Sequence, residues 1–216
     1  MYKRQDWDKE GDINTGKIAE HGAEKLRAAF IYPLFSREEC DLNRPAEHLG
    51  LGQYKIGNIL IHKDKSYEKY HNIYHRFVSE LDPKIICSVH GIGFGDHPER
   101  QADVLLGFGE RFAFFPSEKD AKRFVECFEE KLKKAGVENI KLVIAKDLFY
   151  GRKNLTLNKH VRKYNETSKR KRLGLQVEFG EKMRMGAENC MPTEKCYSAV
   201  IALGESLIKY YKELFG

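Results

Sequence analysis

The sequence predicts an α/β domain, a three-layer sandwich around a mostly parallel or mixed central sheet. Apolar stripes at helical spacing alternate along the chain with short apolar runs bounded by Gly or Pro. Strands that alternate with helices build a sheet with helices packed on its faces. At 216 residues, 41% hydrophobic and 32% charged, the chain has enough apolar material for one domain over 1–216 and is no disordered or fibrous sequence.

The elements follow in order. Ile18, Ala19, Gly22, Leu26, Ala29 and Phe30 make a helical stripe after Thr15, a residue suited to the N-cap. Tyr67, Tyr70, Tyr74, Phe77, Val78 and Leu81 make a second, which Pro83 ends. Residues 84–89 then read as a buried strand closed by Gly91, and 102–106 as another closed by Gly107. Ser117 caps a helix carrying Ala121, Phe124, Val125, Phe128, Leu132 and Ala135, stopped at Gly136. Residues 140–144 and 173–179 read as strands, the second with period-2 alternation, and 194–214 as the last helix. Between them, 147–172 is an irregular basic loop.

Charge is concentrated in that loop. The net charge is +6, and residues 152–172 hold nine Lys/Arg against one acid, so the rest of the chain sums to −2. A near-neutral domain with one basic segment is unlike a uniformly basic nucleic-acid binder. The five cysteines are scattered without C-x-x-C spacing, which excludes the patterns of a disulfide framework or cysteine zinc site; Cys87 and Cys127 read as core residues. Mean hydropathy is −0.59, no long uncharged apolar run occurs, and residues 1–15 hold no apolar leader segment. The expected compartment is the cytoplasm, with no membrane partner.

Ligands of α/β sheets bind beyond the carboxyl ends of the strands. Three such ends carry unusual polar residues. One runs Ser88-Val89-His90-Gly91, one runs from Asp103 to Gly109, and one runs Gln176-Val177-Glu178-Phe179-Gly180. His90 is either a hydrogen-bonded structural histidine or one facing a cleft. Glu178, inside an apolar run, is either a buried ion-pair partner or a catalytic carboxylate, because burial without a partner is costly. Arg44, in Asp41-Leu42-Asn43-Arg44, offers a planar fork for a carboxylate, or a surface ion pair.

In order along the chain stand Asp41-Leu42-Asn43-Arg44, Tyr70-His71-x-x-Tyr74-His75, Ser88-Val89-His90-Gly91, Ala102 to Gly107, and Leu175-Gln176-Val177-Glu178. This ordered set resembles the N-formylglutamate amidohydrolase family and the related poly-γ-glutamate hydrolases, over roughly residues 12–184. The resemblance implies a zinc carboxypeptidase-like fold and a zinc-dependent amidohydrolase. It implies His90 and Asp12 as metal ligands and Glu178 as the carboxylate that activates water. It assigns Asn43 and Arg44 to gripping a substrate carboxylate, and places Asp103 near the site. The expected partner is a small molecule with a free carboxylate, an N-acyl amino acid or γ-glutamyl compound. The family also has a histidine ligand ahead of the acidic one; here no histidine precedes Asp12, and the first is His21.

Other readings remain beside this one. His71 and His75 stand at i, i+4, a spacing that can bind zinc, but without the adjoining Glu of His-Glu-x-x-His, so packing is the plainer role. The basic segment, with Tyr164 among its charges, could bind RNA or another polyanion, or act as a lid that attracts anionic substrates. A non-catalytic binding protein of the same fold is the third alternative.

Overall fold

The structure is a computed structural model that describes residues 14–32, 54–56, 59–61, 68–93, 95–151, 157, 160–161, 171–186 and 191–216. In chain order the elements are α1 (Thr15–Leu26), β1 (Tyr54–Ile56), β2 (Ile59–Ile61), α2 (Glu68–Glu80), β3 (Ile85–Ile92) and β4 (Val104–Gly107). There follow α3 (Glu118–Lys134), β5 (Leu142–Ile144), β6 (Leu173–Gly180), α4 (Glu181–Arg184) and α5 (Glu194–Phe215).

Three helices show local start or stop signals. Ser117 Oγ accepts from the Asp120 amide and begins α3, with Glu118 and Asp120 in its first turn and Lys131, Lys133 and Lys134 in its last, the order the helix dipole favours. Gly136, at φ +69°, follows it in the left-handed region. Thr193 Oγ1 accepts from the Cys196 amide and begins α5. At α1 the cap is Asn14 rather than Thr15, and its side chain serves elsewhere: Asn14 Nδ2 donates to the Arg184 carbonyl at 2.8 Å. Arg27, left-handed at φ 52°, ends α1, so Ala29 and Phe30 fall outside the helix and Phe30 is exposed.

The main sheet has the order β3-β6-β4-β5. β3 and β6 are parallel, β4 and β5 are parallel, and β4 runs antiparallel to β6. The mixed sheet flanked by helices matches the fold class expected from the sequence. The strand that comes last in the chain lies between the first and second of the sheet, and is buried along its whole length. β1 and β2 form a separate antiparallel pair, and the Gly57-Asn58 sequence between them is a hairpin signal.

Alternation along β6 splits the sheet into two chemically different faces. Leu173, Leu175, Val177 and Phe179 join Ile18 of α1, Phe124 and Phe128 of α3, and Val200, Leu203 and Leu207 of α5 in the main core. Cutting either fully buried Phe to Ala would cost about 3–5 kcal/mol. Tyr210 closes this layer with a 3.0 Å hydrogen bond to Asp120, and burial pushes its phenol up to about 12, helped by that carboxylate. The other face carries Gly174, Gln176, Glu178 and Gly180, with a smaller apolar group of Ile92, Ala102, Leu105 and Ala145. Among the described cysteines Cys196 is buried, Cys127 half-buried and Cys87 exposed, so Cys87 is not the core residue its apolar neighbours suggested. No described helix is long and apolar enough to cross a membrane.

Candidate functional site

The polar residues of the second face come together at the carboxyl end of the parallel pair. β3 is longer than the sequence reading had it and runs on through His90 to Ile92, so His90 lies in the strand rather than after it. In the register of the two strands His90 pairs with Glu178, and Ser88 pairs with Gln176. Paired residues of neighbouring strands project on the same side. Two residues that stand 88 positions apart in sequence are thus placed side by side, with a second polar pair one step below.

Hydrogen bonds run along each strand as well. Gln176 Nε2 donates to Glu178 Oε1 at 2.7 Å, both side chains being buried. Ser88 Oγ and His90 Nε2 lie 2.8 Å apart. The amide donor fixes the plane of the Glu178 carboxylate. A metal-binding imidazole commonly hydrogen-bonds through its second nitrogen, which sets its tautomer and orientation. Ser88 gives His90 such a partner.

One buried cation joins the strand ends above this cluster. Arg184, 1% exposed at the end of α4, donates from Nε to the Phe179 carbonyl at 2.8 Å and from Nη2 to the Ile92 carbonyl at 3.0 Å. On the β4 side, Gly107 pairs with Gln176 and lets the Phe149–Tyr150 backbone come down on the sheet; a Cβ at this position would collide with the Phe149 carbonyl. That loop is pinned by Glu99, whose Oε1 accepts from the amides of Lys146 (2.7 Å) and Asp147 (3.0 Å) and whose Oε2 accepts from Leu148 (2.8 Å). Burial by itself would raise the Glu99 carboxyl. The three backbone donors, with His97, outweigh it and hold the group below the usual glutamate value.

Neither Glu99 nor Arg184 stands out in the sequence. Their charge in a chain of 70 charged residues carries no signal of burial. Asp103 lies at the same sheet end, where its carbonyl accepts from Gly180 N, but its carboxylate is turned to the Lys141 amide at 2.8 Å. Asp12, Asn43 and Arg44 lie outside the described residues. Of the expected metal ligands only His90 is therefore placed, and among the described residues no group of three or more His, Cys, Asp or Glu is arranged to hold a metal ion.

His71 and His75 do not point to this cluster's partners but to a histidine from the basic segment. His75 Nδ1 lies 2.7 Å from His160 Nε2, and His75 Nε2 lies 3.0 Å from His71 Nε2. All three rings are buried. The middle ring spends its two nitrogens on two different neighbours, so the rings form a row instead of converging on one point. Beside His160, Val161 packs over Gly174, where a Cβ would come within 2.7 Å of Val161 Cγ2. The row thus connects α2 to the polar face of β6.

No family model and no curated protein matches this sequence. Among solved structures the chain is similar to the N-formylglutamate amidohydrolase from Ralstonia eutropha JMP134. Identity is 14%, the match covers 92% of this chain and 81% of that one, and the TM-score is 0.57. The CwlD amidase from Clostridioides difficile, solved in complex with the GerS lipoprotein, matches at 14% identity over 92% of this chain and 84% of that one, with a TM-score of 0.42. The first likeness shows the fold.

Proposed function

We infer that this chain hydrolyses an amide bond of a small substrate bearing a free carboxylate. The observation that carries the reading is the pairing of His90 with Glu178 on one face at the carboxyl ends of two parallel strands. That is where α/β folds bind ligands, and buried carboxylates beside imidazoles are the groups hydrolysis needs. The fold shared with an N-formylglutamate amidohydrolase supports it.

Glu178 is the general base. It takes a proton from the attacking water as that water adds to the amide carbonyl, and delivers the proton to the leaving nitrogen as the C–N bond breaks. One water is consumed, and one carboxylic acid and one amine are formed. Gln176 holds the carboxylate in plane for the transfer. Zinc, held by His90 and Asp12, would polarise the carbonyl and acidify the water when bound. Arg44, with Asn43, would grip the substrate carboxylate in a bidentate contact and so align the scissile bond. Asp103, whose carboxylate is engaged with the Lys141 amide, would act only from the edge of the site.

The experiment is hydrolysis of N-formyl-L-glutamate, N-acetyl-L-glutamate and their α-amides with zinc or cobalt supplied, followed by amine release. Glu178→Gln should lower kcat by roughly 10²–10⁴-fold with KM little changed. Wild type inert on the whole panel would refute the substrate class. A fully active Glu178→Gln variant would make Glu178 structural.

A further inference from the structure

We propose that Arg184 is the positioning residue of this site, through which the strand ends carrying His90 and Glu178 are set relative to one another; this rests on the hydrolytic reading above. The Arg184 guanidinium bonds two carbonyls on two strands: Ile92, two residues past His90, and Phe179, one residue past Glu178. Its own carbonyl accepts from Asn14 Nδ2, two residues past Asp12. One residue therefore ties two strand ends, each within two positions of a group assigned to the chemistry, to the start of α1.

The chemistry of the side chain explains why it is arginine. β3 and β6 stop pairing at Ile92 and Gly180, so beyond these residues no ladder bond holds the two strand ends in relation. A guanidinium presents several donors in a rigid fork and can bridge two carbonyls at once, at 2.8 and 3.0 Å here. An ammonium is a single point of charge on a flexible stem and cannot hold both in fixed relation. The four-residue α4 turns the chain back directly after β6, which brings Arg184 over the strand it has just left. Asn14, left-handed at φ 64° and without a side-chain cap bond to α1, adds the third tie.

A residue that only stabilised the fold would lower the melting temperature and leave turnover per folded molecule alone. A positioning residue does more. Displacement of reacting groups by about 1 Å can cost on the order of 10²-fold in rate. Arg184→Lys, with charge kept and the fork lost, should reduce kcat about 10–100-fold on N-formyl-L-glutamate while KM stays within about twofold. The same variant should bind Zn²⁺ more weakly, read by competition with a chelating dye. Asn14→Ala should do both to a smaller extent. Tyr210→Phe, which removes a buried hydrogen bond on the opposite face, supplies the control: lower melting temperature, unchanged kcat.

The full chain is assayed in every case, with far-UV circular dichroism and thermal melting to count folded molecules. Should Arg184→Lys fail to fold, Asn14→Ala against Tyr210→Phe decides alone. Loss of kcat and of zinc affinity in the Arg184 and Asn14 variants, with the Tyr210 control active, is the expected result. Wild-type kcat and zinc affinity in folded Arg184→Lys, or in folded Asn14→Ala where the lysine variant does not fold, overturns the positioning role and leaves the hydrolytic reading standing. A wild type that cleaves no substrate but binds zinc removes the hydrolytic reading, and the zinc arm then decides for or against Arg184. A wild type that does neither overturns both.

Discussion

Replacing Glu99 by glutamine isolates the anchor of the 146–150 loop. The carboxylate accepts three backbone hydrogen bonds, two at Oε1 and one at Oε2. Glutamine is nearly isosteric and can keep its oxygen on Lys146 and Asp147, but its amide nitrogen then faces the Leu148 N–H, donor against donor. One bond to a charged acceptor is lost, worth about 1.5–3 kcal/mol, and the two that remain weaken because the acceptor is neutral. Partial solvent access to Lys146 and Asp147 softens the loss, so about 2–3 kcal/mol is expected. For a chain of this size that is a fall in melting temperature of roughly 4–12 °C. The pH dependence gives a second handle. The folded pKa of Glu99 is held below its unfolded value near 4.3. Its stabilisation is therefore complete above about pH 4.3 and is lost as pH falls through the lowered folded value. Urea unfolding of both proteins between pH 7 and pH 3 should show a constant gap at the top of the range and a narrowing one at the bottom. A gap that persists undiminished at the lowest pH would refute the assignment of the effect to an ionised acceptor.

Three further outcomes are expected. Gly107→Ala drives a Cβ into the Phe149 carbonyl, so it should destabilise by about 1–3 kcal/mol or more and reduce hydrolysis, measured by thermal melting and amine release. His75→Ala removes the middle of the histidine row and leaves two buried rings without their contact, which should cost about 2–4 kcal/mol in urea unfolding, with His75→Gln recovering part of it. Ser88→Ala should weaken Zn²⁺ binding by about 10–100-fold through loss of the His90 partner, measured by dye competition, with little change in melting temperature.

Local signals in the sequence were reliable where the physics is local. Ser117, the apolar stripe to Leu132 and Gly136 specify α3 to within a residue, because cap, stripe and stop lie within one helix. His90 and Glu178 were legible as polar residues at strand ends, but not as neighbours. Their pairing depends on β6 inserting beside β3, a long-range choice that no spacing reveals. The same holds for His160. The i, i+4 spacing of His71 and His75 is visible, while the third ring arrives from 85 residues away in a segment that reads as solvated charge. Arg27 ended α1 earlier than the apolar stripe implied, since a left-handed residue other than glycine leaves no mark in composition. Glu99 and Arg184 were invisible for one shared reason. Each is buried by partners that are backbone amides and carbonyls, groups every residue has.

The histidine row has a consequence in proton counting. Three imidazoles carry six nitrogens, four of which meet in the two contacts of 2.7 and 3.0 Å. Each contact holds one proton between its two nitrogens, so with the outer nitrogens filled the row carries four protons, one more than three neutral rings bring. The row can accept a single proton with both contacts intact. A second must set two N–H groups head to head. Arg172 lies against the His160 carbonyl, with Asp82 as its ion-pair partner, and the Tyr74 ring meets His75 edge-on. The two contacts that set this limit belong to the joint between α2 and the strand face that carries Glu178.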